Sequence, residues 1–127
     1  MSKRTMILLA VVALAALALA ACGGGANTGS SSSGASALNV TVNATEFKFD
    51  PATSNATPGQ TINLTVKNVG SVQHTFVLKE ANVNLTIDPG KTATQTFTAP
   101  ATAGTYQYEC DIAGHKEAGM VGQLVVK

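Results

Sequence analysis

From Leu38 onward, apolar and polar residues alternate with a period of two. Val40, Val42 and Ala44 alternate with Thr41 and Asn43, and Phe47 and Phe49 carry the pattern to a stop at Asp50-Pro51. Thr57-Pro58-Gly59-Gln60 is a turn signal. In Thr61–Lys67, Ile62, Leu64 and Val66 share one face, and Thr61, Asn63, Thr65 and Lys67 share the other. That is the pattern of a strand buried on one side. Asn68-Val69-Gly70-Ser71 interrupts it, and Gln73–Lys79 resumes it with His74, Phe76 and Leu78 on one face. Val83, Leu85 and Ile87 alternate up to the turn Asp88-Pro89-Gly90. Thr92–Thr98 is threonine-rich and ends at Ala99-Pro100. Ala103-Gly104 turns the chain into Thr105–Cys110, and Val121–Val126 closes it with Leu124 and Val126 on one face. Turn signals recur about every eight to twelve residues, and the pattern predicts about seven or eight short strands in an antiparallel β-sandwich over residues 38–127. No window has the 3.6-residue period of an amphipathic helix, and only a single turn is expected, in Ala81–Asn84 or Glu117–Met120.

The first 37 residues follow another pattern. Lys3 and Arg4 precede an almost unbroken apolar run from Met6 to Ala21, which ends in Leu19-Ala20-Ala21-Cys22. A basic start, a short apolar run and small residues at its end make a secretory leader, too short to span a bilayer comfortably. Leu-Ala-Ala-Cys resembles the bacterial lipobox. This implies removal of residues 1–21 and lipidation of Cys22. Gly23–Ala37 is built of Gly, Ser, Ala, Thr and Asn and reads as a flexible tether with a reach of roughly 20 Å. An exported domain held at the outer face of the cell membrane, or in the periplasm, is therefore expected.

Loss of the leader takes Lys3 and Arg4 with it, leaving six basic residues against seven acidic ones. That balance lacks the basic patch of a nucleic-acid-binding protein. The chain has two cysteines. With Cys22 acylated, Cys110 has no disulfide partner. A lone thiol in an oxidising compartment is either buried as an inert small hydrophobe or has a role such as metal binding.

The residues around Cys110 favour the metal. Cys110, His115 and Met120 follow one another with four residues in each gap, and His74 is the one other histidine of the chain. Each alone is weak, since a histidine or methionine on an apolar face is usually core. Together they offer two imidazoles, a thiolate and a thioether, the ligand set of a blue copper electron-transfer site. Cys110 is the last inward residue of its strand after Tyr106 and Tyr108. The loop from Cys110 to Met120 is long enough to curl three side chains toward one point, and His74 arrives from a separate strand.

Asn68-Val69-Gly70-Ser71-Val72-Gln73-His74-Thr75-Phe76-Val77, and Gly104-Thr105-Tyr106-Gln107-Tyr108-Glu109-Cys110 through to Met120-Val121-Gly122, resemble the cupredoxins, the blue copper family of plastocyanin, azurin and the auracyanins. Thr57-Pro58-Gly59-Gln60-Thr61 adds to the likeness, which spans Val40 to Lys127. The resemblance implies a Greek-key sandwich holding one type 1 copper. His74, Cys110 and His115 would be its equatorial ligands and Met120 its axial ligand. Thr75 stands where plastocyanin and azurin have an asparagine that steadies the ligand loops, so that bond would fall to a hydroxyl. Gln73 stands where azurin has the glycine of a carbonyl ligand, and no fifth ligand is implied.

An electron carrier, working as a monomer, follows from this set. Redox partner proteins of a respiratory or photosynthetic chain would dock near His115, on the low-charge surface of Ile112, Ala113, Gly114, Ala118 and Gly119. Copper storage or delivery could use the same ligands. The chain has too few histidines for a multicopper oxidase and too few cysteines for a dinuclear purple centre. A Cys–His hydrolase would lack a third member to orient its base.

Overall fold

A computed structural model describes residues 36–127. The expected leader over 1–21, the lipidated Cys22 and nearly all of the 22–37 tether lie outside the described residues. Alternation becomes strand almost everywhere it was expected. The elements are β1 (Leu38–Thr45), β2 (Lys48–Asp50), β3 (Thr53–Ala56), β4 (Thr61–Asn68), β5 (His74–Leu78), β6 (Val83–Ile87), β7 (Thr92–Thr98), β8 (Gly104–Glu109) and β9 (Val121–Val126). They form two sheets, one ordered β2-β1-β4-β7 and the other β3-β9-β8-β5-β6. This is the β-sandwich that the alternation predicts.

The apolar faces of the two sheets meet in one core. Val42, Ile62, Leu64 and Val66 come from one sheet, and Phe76, Leu78, Tyr108, Leu124 and Val126 from the other, all buried. Each such side chain contributes roughly 1.5–3 kcal/mol by leaving water. Three rings anchor the end of the core near Cys110. Phe76 stacks on Tyr108 at 4.4 Å between centroids, and Phe49 meets each of them edge-on at 5.4 Å. Gly122 lies directly opposite Tyr108 in the β8–β9 pairing. A Cβ there would overlap the tyrosine ring.

Several details differ from the sequence pattern. The run from Val40 to Phe49 is two strands, because Glu46 and Phe47 form the turn of a hairpin that pairs Thr45 with Lys48. Phe47 therefore leaves the alternation and is 42 % exposed. β3, short and polar, has no alternation to announce it, and its backbone pairs with β9. That pairing and the one between β1 and β4 are parallel, whereas the remaining ladders are antiparallel. The parallel pairs arise because the chain moves to the other sheet between them, so neighbours in space are not joined by a hairpin. Tyr106 is half-buried rather than core, with its hydroxyl donating to the Thr102 carbonyl at 2.7 Å. The one helical turn of the described residues is a 3-10 turn at Lys79–Ala81, and residues 113–119 form consecutive turns with no helix in Glu117–Met120.

Candidate metal centre

The site sits at one end of the sandwich. β5 begins at His74, so the first imidazole enters the core as soon as the strand starts, with Ile87 of β6 as its ladder partner. The backbone before it is held by Asn68, the last residue of β4. Its buried side chain donates to the carbonyls of Val72 at 2.7 Å and Ile87 at 2.9 Å and accepts from the Gly70 N–H at 3.0 Å. These bonds satisfy groups that the strand break would otherwise orphan.

Cys110 follows β8, and the loop behind it is closed by its own backbone. The Cys110 N–H donates to the Met120 carbonyl at 3.1 Å, the Met120 N–H to the His115 carbonyl at 3.0 Å, and the His115 N–H to the Ile112 carbonyl at 3.0 Å. Gly114 and Gly119 adopt φ of 85° and 101°, a left-handed conformation that glycine takes without steric penalty. Three bonds and two glycines thus turn Cys110, His115 and Met120 back toward one another.

The geometry brings His74, Cys110 and His115 together, with one donor atom from each lying within 4.8 Å of the others. His74 Nδ1 is 3.3 Å from His115 Nδ1, which is 3.3 Å from Cys110 Sγ. His74, Cys110 and Met120 are each 0 % exposed, while His115 is half-buried and keeps an edge at the surface. Burial, and then the nearby His115, hold the His74 imidazole below its ordinary pKa, which leaves its lone pair free. His74 Nε2 has no hydrogen-bond partner among the described residues, so the polar contact of that ring is made through Nδ1, toward the cluster. Two imidazole nitrogens and a sulfur facing each other at 3.3 Å cannot all be satisfied by one shared proton. A single soft cation would meet all three lone pairs, and the residues therefore fit a copper ion.

Thr75 ties the two ligand segments to each other. Its N–H donates to Cys110 Sγ at 3.3 Å, the kind of bond that draws charge from a ligating sulfur. Its hydroxyl donates to the Asp111 carboxylate at 2.6 Å and accepts from the Asp111 N–H at 2.9 Å. The hydroxyl thus fills the steadying role that the sequence left to it. Farther out, Glu109 of β8 pairs with Lys116 at 2.6 Å and Lys79 at 3.5 Å, and Lys116 foremost holds the Glu109 carboxyl below its usual range. The lysines are exposed, so this clasp adds little to stability.

Asn68, Asp111, Glu46 and Phe47 escaped the sequence reading. Asn68 and Asp111 are ordinary polar residues until tertiary contacts give them partners. Glu46 and Phe47 sit where the alternation slips by one residue between Ala44 and Phe47, and that slip is the signal of the turn they form. Phe47 rests edge-on against His115, with 5.0 Å between ring centroids and 76° between planes.

A sandwich with two imidazoles and a thiol converging at one end defines a single type 1, or blue, copper site. The chain belongs to the cupredoxin-like domain family, whose model matches residues 6–126. It is 31 % identical over 99 residues to the copper-resistant cuproprotein CopI of Rubrivivax gelatinosus, a match that takes in 63 % of this chain. The chain spans 60 % of the length of CopI. Among solved structures it is similar to an auracyanin of the photosynthetic bacterium Roseiflexus castenholzii, with a TM-score of 0.64 and 26 % identity over 71 % of this chain and 97 % of the other. It is likewise similar to auracyanin A, a blue copper protein of Chloroflexus aurantiacus, with a TM-score of 0.61 and 28 % identity over 72 % of this chain and 99 % of the other.

Proposed function

We propose that the chain is an exported blue copper electron carrier, held at the outer face of the cell membrane by a lipid on Cys22. The observation that carries this reading is the convergence of His74, Cys110 and His115 within 4.8 Å at the end of a rigid sandwich. Met120, buried at the far end of the same loop, would add the axial thioether. A bound copper would supply a one-electron Cu(II)/Cu(I) couple. The chain's part is to keep the donors where they are in both states. The backbone-closed loop, the Thr75–Asp111 tie and the Asn68 clamp all resist movement, which favours rapid transfer. With four donors from the protein no position remains for a substrate, and this supports a carrier rather than an enzyme.

His115 is the route outward, because it alone of the four keeps an exposed edge. Ala113, Gly114, Ala118 and Gly119 beside it are exposed and uncharged, and Ile112 is half-buried. A redox partner of a respiratory or photosynthetic chain would dock on these small residues, with Lys116 and Glu117, also exposed in the loop, at its edge. The tether would let the domain reach donor and acceptor on the same membrane at high effective concentration.

The test is an optical and EPR spectrum of the Cu(II)-loaded protein before and after ascorbate. An intense visible band with narrow copper hyperfine splitting, bleached reversibly, is expected. A pale or unbound copper would defeat the reading. Storage or delivery of copper is the second reading, favoured by the similarity to a cuproprotein named for copper resistance. It requires rapid loss of copper to a competing chelator, whereas a carrier retains its metal through repeated redox cycles.

A further inference from the structure

Both residues of the hairpin turn between β1 and β2 reach toward the metal centre. Glu46 extends over the loop that leads into His74. Its carboxylate accepts from the Ser71 N–H, from the Ser71 hydroxyl at 3.0 Å and from the Val72 N–H at 3.2 Å. A Cβ at Gly70 would lie 2.5 Å from the Glu46 carboxylate, so a side chain there would push the acid from its place. Phe47 takes the other histidine, its ring edge-on to His115 at 5.0 Å.

Phe47 also adopts φ of 76°, in the left-handed region that bulky residues avoid. Glycine would suit this turn better. Burial does not explain the choice, since Phe47 remains 42 % exposed. The contact that this conformation secures is the one with His115. A strained residue held against a functional side chain is a sign of function rather than of folding.

We propose that the Glu46-Phe47 turn is a brace that positions both imidazoles of the metal centre, Glu46 through the Ser71–Val72 backbone and Phe47 by direct contact with the His115 ring. Both are positioning residues. The inference rests on the metal reading of the site and adds to it a third segment that carries no ligand. It also explains why an aromatic stands where the turn calls for glycine. The hairpin gives up local stability so that His115, the half-buried ligand on the exposed loop, is held in one orientation.

The experiment compares the natural protein with F47G, F47Y and E46A. Copper affinity is measured by competition with a chromophoric chelator, and the apo-proteins are followed by thermal unfolding and by NMR of the histidine rings. F47G is expected to bind copper roughly tenfold more weakly, the loss typical for residues that orient a ligand. Its apo-protein should melt no lower than the natural one, because the strain is relieved. F47Y should restore the affinity. In apo F47G the His115 ring protons should lose the shift caused by the Phe47 ring, and in E46A the larger change should fall on His74. Unchanged affinity in F47G, or a loss that parallels a fall in apo-protein stability and is not rescued by tyrosine, would overturn the brace. Should the natural protein bind no copper, the proposed function falls, and the NMR arm decides the brace by itself. His115 ring resonances that stay as sharp in F47G as in the natural protein would then refute it, and exchange broadening of that ring in F47G that F47Y removes would sustain it.

Discussion

Thr75 and Asp111 exchange two hydrogen bonds through a single hydroxyl. Thr75 Oγ1 donates to the Asp111 carboxylate at 2.6 Å and accepts from the Asp111 N–H at 2.9 Å. The two residues follow His74 and Cys110 directly, so the pair locks together the segments that deliver the first imidazole and the thiol. Thr75→Val keeps the shape and removes both bonds. Asp111 is exposed and can turn to water, so the loss should be about 1–2 kcal/mol. In a domain of this size that is roughly 4–8 °C in Tm for each kcal/mol. Thr75→Ser should recover most of it. Thermal unfolding of the three proteins checks this, and a valine variant as stable as the natural protein would remove the tie from the account.

Cys110→Ser should abolish the intense visible absorption of the copper-loaded protein. The band depends on charge transfer from a thiolate, which an alcohol cannot replace. Strong colour surviving in this variant would exclude Cys110 as a ligand.

Met120→Leu is close to volume-conserving in a fully buried position, so the fold should lose less than about 1.5 kcal/mol. The reduction potential should rise while the colour remains, because loss of a weak axial donor disfavours Cu(II). Voltammetry reads this directly. An unchanged potential would mean that Met120 only fills the core and closes the loop through its backbone.

Glu46 gives a prediction in acid. The Ser71 N–H foremost holds its carboxyl down from 4.5 to about 2 in the folded protein. A depressed folded pKa stabilises above the unfolded value, and that contribution is lost as the pH falls through the folded one. The natural protein should therefore lose stability between about pH 4.5 and about 2, and Glu46→Gln, already weaker at neutral pH, should lose less over the same range. Denaturation midpoints taken across this window would show parallel curves if the carboxylate bonds carry no weight.

Gly122→Ala tests the packing beneath the site. The new methyl group would overlap Tyr108, whose ring is fixed by Phe76 and Phe49 and cannot retreat. Overpacking of this kind costs about 1–3 kcal/mol. Denaturant unfolding of the variant should show that loss, and a G122A protein as stable as the natural one would mean that the ring has room to move.

The alternation from Val40 to Val126 determined the sandwich, because a period-two sequence can bury its apolar residues only as strands facing a second sheet. The spacing of Cys110, His115 and Met120, with His74 upstream, pointed to copper and nominated the donors, because ligand chemistry resides in residue type, and the fold brings His74, Cys110 and His115 of that set within 4.8 Å. Neither could reveal Asn68 and Asp111 as supports of the site, or name the partner of the Thr75 hydroxyl. The Asn68–Ile87 and Thr75–Asp111 bonds join residues 19 and 36 positions apart, at distances set by how the strands pack. The same packing decided that β1 and β4 run parallel and that β3, with no pattern of its own, pairs along β9. The hairpin at Glu46-Phe47, where the alternation slips by one residue between Ala44 and Phe47, turned Phe47 onto His115. Sequence periodicity records which face of a strand is buried. What lies across the loop from that strand's end is set by the packing of the two sheets, and the environment of the metal centre was decided there.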